Sequence, residues 1–184
     1  MPRRKTQQHF DFLEKVPSGF GGVLLKNSHA KGRRPFSSKH AIHLVMRSSL
    51  AKGDFSMRHP KHTKEIDSIV RAQALRHGVR LYRFANSGNH LHLLVRTARP
   101  FLLKRFLRAI AGLIPRLILK TQRGKPLPKG VNFWDQRPFS RLVTWGQEYT
   151  TVARYLLRNT LEALGFIPYW RPETRRKRLR VSSG

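Results

Sequence analysis

The stretch VRLYRFANSGNHLHLLVRT, Val79 to Thr97, decides how this chain folds. Asn86-Ser87-Gly88-Asn89 is turn chemistry set between two strand-like runs, Val79 to Ala85 and His90 to Thr97, and predicts a β-hairpin. A strand sends alternate side chains to opposite faces. In the second arm Leu91, Leu93 and Val95 therefore share one face, while His90, His92, Leu94 and Arg96 share the other. One face asks for helical cover, and the opposite face presents two imidazoles together.

Working outward, Ile42, Leu44 and Met46 alternate with His43, Val45 and Arg47, which predicts a half-buried strand over His40 to Arg47. Lys61 to His77 spaces Ile66, Ile69, Val70 and Leu75 at helical intervals, follows Pro60 and ends at Gly78, a good terminator. Leu102 to Lys120 repeats apolar residues from Leu103 to Ile118 and predicts an amphipathic helix, kinked at Pro115, with Lys104, Arg105, Arg108, Arg116 and Lys120 on its other face. A Gly, Pro and Lys-rich loop follows over Arg123 to Gly130, then a short strand near Arg141 to Val143. A last helix is expected from Thr144, with Gln147 as capping-box partner, to Gly165, docked through Val152, Leu156 and Leu164. This order predicts an α+β fold of ferredoxin-like type, an antiparallel sheet with helices on one face. The expected organisation is a largely irregular basic arm over 1–39, a folded domain over 40–168 and a basic tail over 169–184.

The chain has 184 residues, the length of a single domain, and 38 Lys and Arg against 9 Asp and Glu give a formal charge of +29. A field of that size repels itself unless a polyanion shares the volume, so nucleic acid is the expected partner. No apolar run approaches the ~18 residues of a membrane span, and Met1 to Lys15 has no apolar core of a signal peptide, so a cytoplasmic, nucleoid-associated protein with no membrane partner is expected. The absence of cysteine removes disulfides, thiolate metal sites and cysteine nucleophiles. Any metal falls to His, Asn, Gln or carboxylates.

A bare His-x-His pair is more often incidental than a site. The last helix strengthens it, because Tyr155 and Asn159 lie one turn apart on one face. Asn159 offers a hard amide oxygen for Mg²⁺ or Mn²⁺, and Tyr155 a hydroxyl able to attack phosphorus. Together the four residues suit metal-assisted phosphodiester cleavage. Tyr149, six residues before Tyr155, sits well round the helix from Asn159 and is assigned to packing.

The segment Asn86-Ser87-Gly88-Asn89-His90-Leu91-His92-Leu93-Leu94-Val95 resembles the His-hydrophobic-His (HUH) motif of the single-tyrosine transposases of the IS200/IS605 type, most nearly those associated with repetitive extragenic palindromes. Glu148-Tyr149 through Tyr155-Leu156-Leu157-Arg158-Asn159 resembles that family's tyrosine helix. Phe133-Trp134-Asp135 and Arg137-Pro138-Phe139 resemble the aromatic and basic stretch between the two motifs. The likeness runs from about His40 to Gly165, and the chain departs from it at Gly88 and Thr160, where many members carry proline. It implies an HUH-type endonuclease fold acting on single-stranded DNA, with hairpins or palindromic repeats as substrate and a monomer or homodimer as the working unit. It also implies a divalent ion, Mg²⁺ or Mn²⁺, on His90, His92 and Asn159, with Tyr155 as nucleophile forming a 5′-phosphotyrosine link. Arg47, Arg83, Arg96, Arg137 and Arg158 are expected phosphate contacts, since most such contacts position rather than specify. Phe36, Tyr82, Trp134 and Phe139 are alternatives between base stacking and core packing. The competing function is a non-catalytic nucleic-acid-binding protein of the same fold, in which the histidines are incidental.

Overall fold

The computed structural model describes residues 19–22, 34–121 and 132–168. In chain order they form β1 (Gly19–Phe20), β2 (Ala41–Arg47), α1 (Pro60–Arg76), β3 (Val79–Asn86), β4 (His90–Thr97), α2 (Pro100–Leu119), β5 (Phe139–Val143) and α3 (Gln147–Leu164). The strands make one antiparallel sheet in the order β1-β5-β2-β4-β3. This is the expected α+β architecture. The predicted hairpin is β3 and β4, and β2 pairs along the other edge of β4, which is thereby held on both sides.

Register explains the core. Ile42, Leu44 and Met46 of β2 stand opposite Val95, Leu93 and Leu91 of β4. This apolar face is covered by Ile66, Val70 and Ala74 of α1 and by Leu103, Phe106, Ile110, Ile114 and Ile118 of α2. The other face is smaller: Ala41, Ala85, Leu94 and Val143 pack against Val152 and Leu156 of α3. Cover by helices on one face thus describes α1 and α2, while α3 crosses the face that carries the histidines.

Several local expectations shift for physical reasons. Leu75 is 86% exposed, and Ala74 takes its place in the core, because the buried stripe of α1 runs through Ile66, Val70 and Ala74 at a spacing of four. The last helix starts at Gln147 rather than Thr144. Its capping partner is Glu148, not Gln147: the carboxylate accepts from Thr144 N at 2.8 Å and Thr144 Oγ1 at 2.6 Å, and from Arg141 at 2.6 Å. Leu164 does not dock and is exposed. Within the basic arm, Gly19 and Phe20 pair with Arg141 and Ser140 as an edge strand. The Arg123 to Gly130 loop, Val23 to Leu25 and the basic tail from 169 onward lie outside the described residues.

Pro115 lies inside α2, which runs continuously from Pro100 to Leu119. Proline has no N–H, so the carbonyl of Ala111, four residues earlier, loses its helical donor. The indole Nε1 of Trp134 supplies it at 2.9 Å. Trp134, a candidate for base stacking, is thus a structural tie between α2 and the segment leading to β5. Among the described residues no helix is long and apolar enough to cross a membrane.

Replacing Trp134 by Phe leaves a carbonyl unpaired and is expected to cost about 1–3 kcal/mol in chemical denaturation. Pro115→Ala restores the helical donor, so the same Trp134→Phe change in that background should cost clearly less. Equal costs in the two backgrounds would refute the tie.

Candidate active site

β4 builds the site. His92 lies between Val45 of β2 and Ala85 of β3, and His90 stands opposite Arg47. The two imidazoles are stacked, with centroids 5.9 Å apart and planes 14° apart. A third ring continues the row: His43 of β2 stacks on His92 at 5.8 Å and 14°. His43 pairs with Leu94, so it reaches His92 along the cross-strand diagonal. Sequence alone puts His43 on the correct face of its strand, but only the β2–β4 register brings it to His92.

Val152 and Leu156 fasten α3 to the sheet, and the adjoining stripe of the helix carries Tyr155 and Asn159. Tyr155 meets His92 edge-on, with centroids 5.8 Å apart and planes at 88°. It remains 50% exposed. His90, His92, Tyr155 and Asn159 line one cleft of about 480 Å³, together with Arg58, Ser87, Asn89 and Glu162. Tyr149 sits apart, against Tyr82 and Trp145.

Burial sets the charge of the imidazoles. His92 is pushed down to about 3, first by burial and then by the neighbouring His43 and His90. His43 falls to about 4 through burial and the Arg141 charge. His90 is also lowered, by burial and Arg47, against an opposing pull from Asp135. At neutral pH His43 and His92 are uncharged, and the same influences favour a neutral His90. Asn89 Oδ1 lies 2.6 Å from His90 Nδ1. An amide oxygen only accepts, so Nδ1 carries the proton and Nε2 keeps its lone pair.

These donors suit a divalent cation: two imidazoles stacked near parallel, with an amide oxygen and a phenol on the same cleft. Among the described residues no group of three His, Cys, Asp or Glu side chains is arranged to hold an ion. An ion here would rest on His90, His92 and the amide of Asn159.

The five candidate arginines do not form one cluster. Arg47 pairs with Asp135 at 3.3 Å, and with Arg137, Ser49 and Phe139 it lines a second cleft of about 480 Å³. Arg83 is exposed at a bulge of β3 and bonds the carbonyl of Tyr82. Arg96 faces Arg80 at the opposite end of β4 from His90. Arg158 pairs with Glu162 at 2.8 Å. Arg58, which no periodicity singles out, lines the main cleft.

An antiparallel α+β sheet with paired histidines on an inner strand and a tyrosine helix laid across them defines the class of fold and site. The family model described as "Transposase IS200 like" matches residues 36–159, from just before β2 to Asn159. The chain belongs to this family of DNA-cutting transposases. No curated protein matches it significantly. Among solved structures it is similar to a protein of Deinococcus radiodurans R1 described as a candidate transposase, at 18% identity and a TM-score of 0.41, covering 71% of this chain and 97% of that one.

The buried imidazoles predict a pH dependence. Above 6.5 the rings are neutral in both the folded and unfolded chain, and stability is indifferent to them. Below 6.5 the unfolded chain takes up protons that His43 and His92 refuse until about 4 and about 3. The metal-free protein should therefore lose stability as pH falls from 7 to 5, each ring contributing a slope of up to about 1.4 kcal/mol per pH unit. His43→Phe should make that slope shallower in denaturation series. An unchanged slope would mean that His43 is protonated in the folded protein.

Proposed function

We propose that this transposase cleaves and rejoins single-stranded DNA through Tyr155, on substrates carrying hairpins or palindromic repeats. The observation that carries the reading is the convergence of Tyr155, His90, His92 and Asn159 on one cleft. Tyr155 Oη gives up its proton and attacks the phosphorus in line, the P–O3′ bond breaks, and the departing 3′ oxygen takes up a proton. The products are a 5′-phosphotyrosine link and a free 3′-hydroxyl. Because the ester bond is exchanged rather than hydrolysed, a 3′-hydroxyl can attack the phosphotyrosine and restore the strand. A divalent ion, Mg²⁺ or Mn²⁺, held by His90, His92 and Asn159 would supply positive charge against the non-bridging oxygens.

The remaining roles belong to the protein. His92 supports the Tyr155 ring edge-on, and Asn89 holds the His90 tautomer. Residues 40–168 act as the catalytic unit, with 1–39 and 169–184 as basic flanks that grip phosphate without regard to sequence. Arg47, Arg83, Arg96, Arg137 and Arg158 add phosphate contacts around the sheet, Arg47 and Arg158 while oriented by carboxylates. Such a protein works on DNA at the nucleoid. The working unit is a monomer or a homodimer, and the four side chains of the site come from one chain.

The test is covalent capture. Incubation with hairpin-containing single-stranded DNA and Mn²⁺ should yield a denaturation-resistant adduct, lost with Tyr155→Phe or a chelator and retained with Tyr149→Phe. An adduct that survives Tyr155→Phe removes that residue from the mechanism. No adduct on any strand, with tight binding retained, favours the non-catalytic nucleic-acid binder.

A further inference from the structure

The α3 side of the sheet carries a second feature, at the end of β4 away from His90. Arg96 stands directly opposite Arg80 of β3, on the same face. Like charges in that position repel. Among the described residues neither guanidinium has a carboxylate partner. In this family an anion supplied by the substrate is the natural counterpart.

Aromatic rings adjoin the pair. The Arg80 guanidinium lies 5.4 Å from the centroid of Tyr82. Tyr82 meets Trp145 edge-on at 5.5 Å, and Trp145 packs against Tyr149 at 4.9 Å. Trp145 Nε1 donates to the Lys39 carbonyl at 2.6 Å, which fixes the indole, yet the residue is 43% exposed. A buried structural tryptophan would hide its ring. This one is held by its neighbours, partly open to solvent, and joined through Tyr82 to Arg80 of the arginine pair.

We propose that Arg80, Arg96 and Trp145 form a nucleotide subsite for an unpaired stretch of the DNA strand, remote from the cleaved phosphodiester. A phosphate between the two guanidiniums replaces their repulsion by charge-assisted hydrogen bonds. The base of that nucleotide stacks on the open face of Trp145, a contact every base can make. Arg96 is six positions along β4 from His90, roughly 20 Å, and α3 covers Leu94 between them, so the strand passes around the helix and several nucleotides join the subsite to the cleft. The subsite holds a strand in register without reading its sequence. It rests on the reading of this protein as acting on single strands.

The test uses the full chain and single-stranded oligothymidylate of about 12 nucleotides, with a trinucleotide as the short comparison. Arg80→Gln/Arg96→Gln should weaken binding of the long strand about tenfold, leave the trinucleotide nearly unaffected, and reduce the salt slope of binding by about one to two. Trp145→Ala should weaken the long strand alone, and Trp145→Phe, which keeps a stacking ring, should restore much of the loss. Iodouracil scanned along the strand should photocrosslink to the peptide containing Trp145 from one position several nucleotides from the cut. Indifference of long-strand binding to these variants, equal losses at both lengths, or crosslinks only elsewhere would overturn the subsite. A wild-type protein that binds no single strand would overturn the proposed function as well, and so the two failures are distinguishable.

Discussion

The rest of the structure depends on β4 being paired along both edges. A strand held on one side can slip by a residue and exchange its faces, but β4 is registered against β2 and β3 together. Leu91, Leu93 and Val95 lie beside Met46, Leu44 and Ile42, and any slip would bring His90 and His92 under α1 and α2. The apolar core therefore aims the imidazoles. Positioning of the site is a by-product of burying leucine and valine, and it needs no interaction dedicated to the histidines beyond Asn89.

The two faces are held with unequal strength. Among the described residues, nineteen buried ones form the core beneath α1 and α2, whereas six join α3 to the sheet. Hydrophobic stabilisation grows with the apolar area removed from water, so α3 is the more weakly anchored helix. That helix carries Tyr155. In the proposed function Tyr155 must admit a phosphodiester to the cleft and later hold one end of a strand, a task better suited to an element that can shift than to the main core. The histidines show the opposite choice: stacked in a row, with His43 and His92 buried and uncharged at neutral pH, they belong to the sheet.

Much of this was legible in the sequence where the physical signal is local. Period-two alternation and the Asn-Ser-Gly-Asn turn identify β3 and β4, and a four-residue spacing puts Tyr155 beside Asn159. Signals that depend on tertiary register were not legible. His43 is an ordinary histidine until β2 pairs with β4, and Trp134 is an aromatic of uncertain use until Pro115 leaves the Ala111 carbonyl without a donor. Leu75 misleads because apolar character alone does not say which stripe of a helix meets the core. The side of the sheet taken by α3 depends on the small residues Ala41 and Ala85, which leave room for it.

The charge acquires a structure of its own. Of the six acidic residues in the described segments, five are paired with basic partners: Asp54 with His59, Asp67 with Arg71, Asp135 with Arg47, Glu148 with Arg141 and Glu162 with Arg158. The scarce carboxylates are thus spent mostly on orienting cations, and none joins a ligand cluster. A carboxylate-rich metal site would neutralise the ion it holds and repel the phosphate it must attract. In the proposed site, two imidazoles and an amide would leave the charge of a bound ion undiminished. On a chain of +29, the proposed site would direct the strongest local attraction to the point where a backbone phosphate meets Tyr155, with the surrounding arginines available to phosphates farther along the strand.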